Sequence, residues 1–130
     1  MNEREISFRG KRVDNGEWIE GGFVPSLNGK RFYIGNMFEC VEIVPETRCE
    51  YTGLTDKNGT KIFEGDFLFD SNPNTQKIYS VIWSSGSFMR RTVDGYYLSL
   101  SSLNAKEYGI IGNIHDYSKI NFGGEKIEQE

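Results

Sequence analysis

Apolar and polar residues alternate through short stretches of this chain, and turn-forming residues separate the stretches at close intervals. That two-residue period marks half-buried β-strands. Ile6 and Phe8 alternate with Ser7 and Arg9, which predicts a first strand. Asp14-Asn15-Gly16 closes a hairpin onto a return arm carrying Trp18-Ile19 and Phe23-Val24. Gly21-Gly22 in the middle of that arm marks a bulge or a close backbone approach. Asn28-Gly29 turns the chain again into Arg31 to Ile34, so residues 1–35 read as a three-stranded meander. After a loop from Gly35 to Phe38, Val41 to Val44 forms a short strand that Pro45 ends.

The stretch Tyr51 to Asp66, YTGLTDKNGTKIFEGD, is the centre of the pattern. Asn58-Gly59 suits the two φ > 0 positions of a type I′ turn, with Leu54 before it and Ile62-Phe63 after it. Gly65-Asp66 then punctuates the chain ahead of the apolar run Phe67-Leu68-Phe69. Ser71 to Gln76 is polar, rich in turn formers, and reads as a mobile loop. Ile78 to Trp83 is apolar on both faces and predicts a central strand. Turns at Ser84-Ser85-Gly86 and Asp94-Gly95 lead into Phe88 to Arg90 and then Tyr96, Leu98 and Leu100. One helix is expected over Ser101 to Glu107, with Ser101 as N-cap and Leu100 and Leu103 as anchors. Tyr108, Ile110, Gly112 and Ile114 alternate through a last strand, and His115 to Ile120 adds a helical turn. A frayed acidic tail follows over 123–130.

Composition agrees with a β-rich chain. Nine Phe, seven Tyr and fifteen Gly against three Pro favour pleated strands and tight turns. One domain is expected over residues 1–130, with the meander at 1–35 and a barrel-like part at 36–122. The fold class is therefore mainly β: a small, partly closed barrel or packed sheets, an SH3-like barrel being one form. The net charge of −4 argues against a broad nucleic-acid footprint. Cys40 and Cys49 fit no metal spacing, and two free thiols, one or both buried, are expected. The N-terminus lacks the apolar core of a signal peptide and no apolar run nears a membrane span, so the expected compartment is the cytoplasm, with no membrane partner.

Candidate chemistry is sparse. His115 is the only histidine, so a Ser-His-Asp triad would have to run through it, and a loop histidine is the simpler reading. Asp56, Glu64 and Asp66 could hold a divalent cation or work as an acid and base. Each also has a structural reading: Asp56 as a turn entry, Asp66 as an acceptor of backbone N–H groups, Glu64 as solvated surface. No metal site and no cofactor are predicted. Arg9, Lys11 and Arg12 at the start, with Arg90-Arg91, could bind phosphate, against the ordinary reading of solvated surface.

Four stretches resemble the YopX family of phages, prophages and other mobile elements. They are FRGKRVDNGEWIEG at Phe8 to Gly21, YTGLTDKNGTKIFEGD at Tyr51 to Asp66, VIWSSGSF at Val81 to Phe88, and IIGNIHD at Ile110 to Asp116. The second matches a family hallmark almost without a break, and its marked residues here are Tyr51, Thr52, Gly53, Leu54, Asp56, Asn58, Gly59, Gly65 and Asp66. Departures are small: Asp116-Tyr117 stands where Glu-Asn is usual, and Phe63 where Tyr is frequent. The resemblance implies a small, mostly β fold that assembles into oligomers, with no enzymatic activity attached. The expected function is a non-catalytic binding or assembly module, a homo-oligomer that meets a host or phage protein. The N-terminal meander is the expected interface, with Phe8 as anchor, because the first arm, Ile6 to Arg12, has no preceding element to cover its edge. A nucleic-acid-binding module using the two basic clusters is the alternative, and a metal-dependent enzyme at Asp56, Glu64 and Asp66 ranks below it.

Overall fold

The computed structural model describes residues 5–35, 39–70, 72, 74, 77–116, 119–122 and 125–128, the last two stretches by backbone alone. The chain divides into two compact units, Met1–Gly53 and Leu54–Glu130. The boundary falls inside the central motif.

In the first unit, β1 (Phe8–Lys11), β2 (Trp18–Pro25) and β3 (Phe32–Gly35) form the expected meander, and β4 (Cys40–Ile43) extends it. Hydrophobic alternation sets the register. Phe8 lies opposite Gly21, and Phe23 opposite Ile34. Phe8, Phe23 and Phe32 make a row on one face, with ring centroids 5.5 and 5.3 Å apart. The Arg48 guanidinium lies 4.8 Å from the Phe23 centroid. Ile34 and Ile43 are fully buried. The sheet curls until Arg12 bridges Ile43, and the Val44 N–H donates to the Lys11 carbonyl at 2.8 Å. A Cβ on Gly10 would stand 2.5 Å from Ile43 Cδ1, which explains the missing side chain at that crossing. The Gly21-Gly22 pair is a close backbone approach: a Cβ on either would lie 3.2 Å from the Gly35 carbonyl oxygen.

The first arm is not an open edge. β5 (Cys49–Thr55) pairs with β1 on the side away from β2, so Phe8 faces Glu50 as well as Gly21. This pairing spans about forty residues of sequence, a separation that a local pattern does not encode.

The second unit holds a five-stranded sheet in the order β10-β9-β8-β7-β11. Its strands are β7 (Asp66–Phe69), β8 (Ile78–Ser84), β9 (Ser87–Arg91), β10 (Tyr97–Ser99) and β11 (Gly109–Asn113), while β6 (Lys61–Phe63) returns from β5. β8 is central, as its two apolar faces require. Ile62, Leu68, Tyr79, Val81, Ala105 and Tyr108 form the buried core, with Leu54, Phe88, Leu100 and Ile110 packed on it. The helix α1 (Ser102–Ala105) starts at Ser101, whose hydroxyl and backbone N–H form a capping box with Asn104. Its anchor is Ala105, fully buried, whereas Leu103 is 86% exposed. Four residues make one turn of helix, and Leu103 falls on its outer side.

The mainly β class holds, in antiparallel sheets without a fully closed barrel, one of the expected forms. After the Ile114–Asp116 turn, β12 (Lys119–Phe122) pairs with β13 (Glu125–Glu128), replacing the expected helical turn and frayed tail with a hairpin. Its alternation, Lys119-Ile120-Asn121-Phe122 against Lys126-Ile127-Glu128, is the two-residue period of a strand. Most of the Ser71 to Gln76 loop lies outside the described residues.

Candidate functional site

The hairpin between β5 and β6 forms where expected, with a different turn. Gly59 has φ +79°, while Asn58 is not in the left-handed region. The Gly59 N–H donates to the Asp56 carbonyl at 3.0 Å, and the Asp56 N–H to the Thr60 carbonyl at 2.9 Å. This is a type I turn with the glycine in the following left-handed position, the three-residue hairpin loop. Its cause is the Asp56 side chain. Asp56 Oδ1 accepts the backbone N–H groups of Asn58 and Thr60, both at 2.9 Å, and holds Asn58 in a right-handed conformation. A type I′ turn lies instead at Ser85-Gly86, where φ is +53° and +88°.

Asp56 reaches further. Its Oδ2 accepts the N–H of Ile110 at 3.1 Å, and the neighbouring Lys57 N–H donates to the Tyr108 carbonyl at 2.9 Å. Gly109 lies under Lys57, where a Cβ would meet Lys57 Cε at 3.2 Å. The turn is thus fastened to the start of β11.

A second fastening holds the end of the same strand. Gly65, at φ +87°, lets the chain reverse between β6 and β7, and its carbonyl accepts the Ile114 N–H at 2.9 Å. Asp66 Oδ2 accepts the Phe63 N–H at 2.8 Å, and Asp66 Oδ1 accepts Asn113 Nδ2 at 3.0 Å. Asn113 also donates to the Glu64 carbonyl at 3.2 Å, and its own oxygen accepts the His115 N–H at 3.0 Å. Asp66 and Asn113 are buried, so each of these bonds satisfies a group that water does not reach. The Tyr51 to Asp66 motif and the Ile110 to Asp116 motif are two halves of one latch.

The remaining motif residues divide between the two units. Leu54 packs on the core, Tyr51 is buried with its N–H on the Ser7 carbonyl at 2.8 Å, and Gly53 takes φ +87°. Thr52 is half-buried within β5.

The acidic trio does not converge. Asp56 holds Ile110 and Asp66 holds Asn113, three residues apart, roughly 10 Å along a strand. Both carboxylates face backbone or amide donors. Among the described residues no group of three acidic, Cys or His side chains is placed to hold a metal ion. The arrangement orients main chain; it does not gather charge around a vacancy.

Several of the basic residues are held by local contacts. Arg12 makes a two-point pair with Asp14, at 2.9 and 2.8 Å, which raises the guanidinium pKa and lowers that of the carboxyl. Arg9 and Lys11 lie against the Trp18 ring, 4.4 and 5.4 Å from its centroid. Arg90 and Arg91 are successive strand residues and so point to opposite faces. Arg90 donates to the Ser99 carbonyl at 2.7 Å and to the Tyr108 hydroxyl, and it stacks on Tyr79 and Tyr108. Burial pushes the Tyr108 hydroxyl pKa up, with Arg90 opposing. His115 is half-buried beside the latch, and Ser118, the nearby serine that a triad through His115 could use, lies outside the described residues. Cys40 and Cys49 are free thiols, one exposed and one buried.

Sequence reasoning missed Asn113, Gly109 and Tyr108 as partners of the motif. The signal was present in part: Asn113 follows Gly112 in IIGNIHD, and an amide in a strand rich in Ile asks for partners.

A family model described as YopX protein matches residues 7–120, a span that includes both halves of the latch. The chain belongs to the YopX family. No curated protein matches it. A crystal structure of protein EF1440 from Enterococcus faecalis is similar in fold, with a TM-score of 0.58 and 24% identity over 88% of this chain and 96% of that one. The fold similarity covers most of either chain and so takes in both units. Among the described residues no helix is long and apolar enough to cross a membrane.

Proposed function

We propose that this YopX-family chain is a non-catalytic binding and assembly module, an accessory protein of the phage and mobile-element type. It works in the bacterial cytoplasm as a homo-oligomer that engages a host or phage protein. The observation that carries this reading is the use of Asp56 and Asp66: in the most distinctive motif, both carboxylates accept hydrogen bonds from backbone or amide donors. A catalytic or metal-binding carboxylate keeps an oxygen directed at its substrate or ion. The nucleic-acid alternative would draw on Arg9, Lys11, Arg12, Arg90 and Arg91, of which Arg9 and Lys11 lie over Trp18, Arg12 pairs with Asp14 and Arg90 donates to the Ser99 carbonyl.

Two measurements test the reading. Light scattering on the purified chain at micromolar concentration should give a mass above one subunit, and a monodisperse monomer would overturn the assembly half. Calorimetric titration with Mg2+, Ca2+ and Zn2+ should show no stoichiometric heat. Binding of one of these ions that Asp56→Asn abolishes would overturn the non-catalytic half.

A further inference from the structure

The end of the chain forms a sheet of its own. β12 and β13 pair with each other and, among the described residues, with no other strand. A lone two-stranded hairpin is marginal in water, and three or more strands with an apolar face are needed for independent stability. The register sets Ile120 opposite Ile127 and Phe122 opposite Glu125, so Ile120, Phe122 and Ile127 share one mostly apolar face with Glu125 at its edge. Lys119, Asn121, Lys126 and Glu128 share the other.

We infer that β13 pairs antiparallel with β13 of a second copy of this chain, centred on Ile127, which makes one four-stranded sheet of two hairpins. This rests on the assembly reading above. Registers of mixed parity would put the apolar face of one hairpin beside the charged face of the other. Centring on Lys126 or on Glu128 would set like charges directly opposite. Centring on Ile127 sets Lys126 opposite Glu128 of the partner subunit, twice by symmetry, and Ile127 opposite Ile127 of the partner subunit. An isologous, closed interface results. Self-pairing along β12 brings no opposite charges together in any register. The first arm offers no comparable edge, because β5 occupies it.

Three variants of the full chain test the interface by light scattering and cross-linking. Lys126→Glu lies opposite the neutral Asn121 within its own hairpin, so it leaves that pairing unopposed. It should weaken association about fivefold or more, through two new like-charge contacts. The triple variant K119E/K126E/E128K, which keeps opposite charges at the 119–128 pair within the hairpin, should regain much of the loss. Ile127→Cys, with Cys40→Ser to remove the exposed thiol, should give a covalent dimer on mild oxidation, since opposed Cβ atoms in a strand pair stand close enough for a disulfide. If the wild type assembles, Lys126→Glu assembles equally well and Ile127→Cys does not cross-link, the hairpin interface is overturned and the assembly reading stands. A monomeric wild type overturns both.

Discussion

Replacing Asp56 removes the acceptor of three backbone N–H groups at once, and the three are not equivalent. Asn58 and Thr60 are exposed, so water can replace Oδ1 there, at a cost of about 0.5–1 kcal/mol each, as for a lost cap. The Ile110 N–H is in β11 against the core, where an unsatisfied donor costs about 1–3 kcal/mol. Asp56→Ala should therefore lose roughly 2–4 kcal/mol, since such terms do not add fully. Asp56→Asn discriminates between the roles. Asparagine serves turns of this kind as well as aspartate does, so a residue needed for the turn alone would tolerate it. In the latch, however, an amide that offers its oxygen to the turn must direct its NH2 at the Ile110 N–H, donor against donor. We expect Asp56→Asn to lose about 1–3 kcal/mol. Urea unfolding read from Trp83 fluorescence, in a Trp18→Phe background, follows the second unit alone, because each unit holds one tryptophan. A midpoint for Asp56→Asn equal to wild type, with an unchanged m-value, would refute the reasoning.

Gly59→Val should cost about 1–3 kcal/mol from backbone strain alone, since φ is +79° and no atom lies within 4 Å of the added Cβ; an unchanged unfolding midpoint would contradict the turn. Gly65→Ala should cost more than Gly59→Ala in the same assay, because its Cβ would also press on Asn113 Nδ2 at 3.1 Å and Ile114 Cγ2 at 3.2 Å. The raised pKa of Tyr108 means the folded state holds its proton more tightly than the unfolded state. That contribution to stability is complete below the ordinary tyrosine value and is lost as pH rises through the folded one, so Tyr108→Phe should flatten the decline in stability above about pH 10. Alkylation of native protein should modify Cys40 and spare Cys49 until unfolding, and mass spectrometry showing neither modified would contradict the free, exposed thiol.

Much of the fold was legible because local rules carried it. Gly16, Gly29, Gly59, Gly86 and Gly95 all have positive φ at the turns where the sequence placed them. Ser101 caps its helix, and Ile78 to Trp83 is central because both its faces are apolar. What failed was non-local or depended on a competing side chain. The β1–β5 pairing left no trace in the pattern near Phe8. Asn58-Gly59 carries the dipeptide of a type I′ turn, but two hydrogen bonds from Asp56 outweigh that preference. Ser85-Gly86 adopts the primed turn without the asparagine, because its two-residue loop between Ser84 and Ser87 demands that twist. The site divided in the same way. Asp56 as a turn entry and Asp66 as an acceptor of backbone N–H groups followed from residue type and place. Their partners Ile110 and Asn113 lie 54 and 47 residues away and became visible only in the fold.

The central claim is that the YopX hallmark fastens a hairpin to β11, and the amide of Ile110 reports on it directly. Native-state hydrogen exchange at that amide should show protection close to that of the core strands in wild type, and should lose it in Asp56→Asn while the β8 amides stay protected. Rapid exchange of Ile110 in the wild type, or protection that Asp56→Asn leaves intact, would contradict the latch.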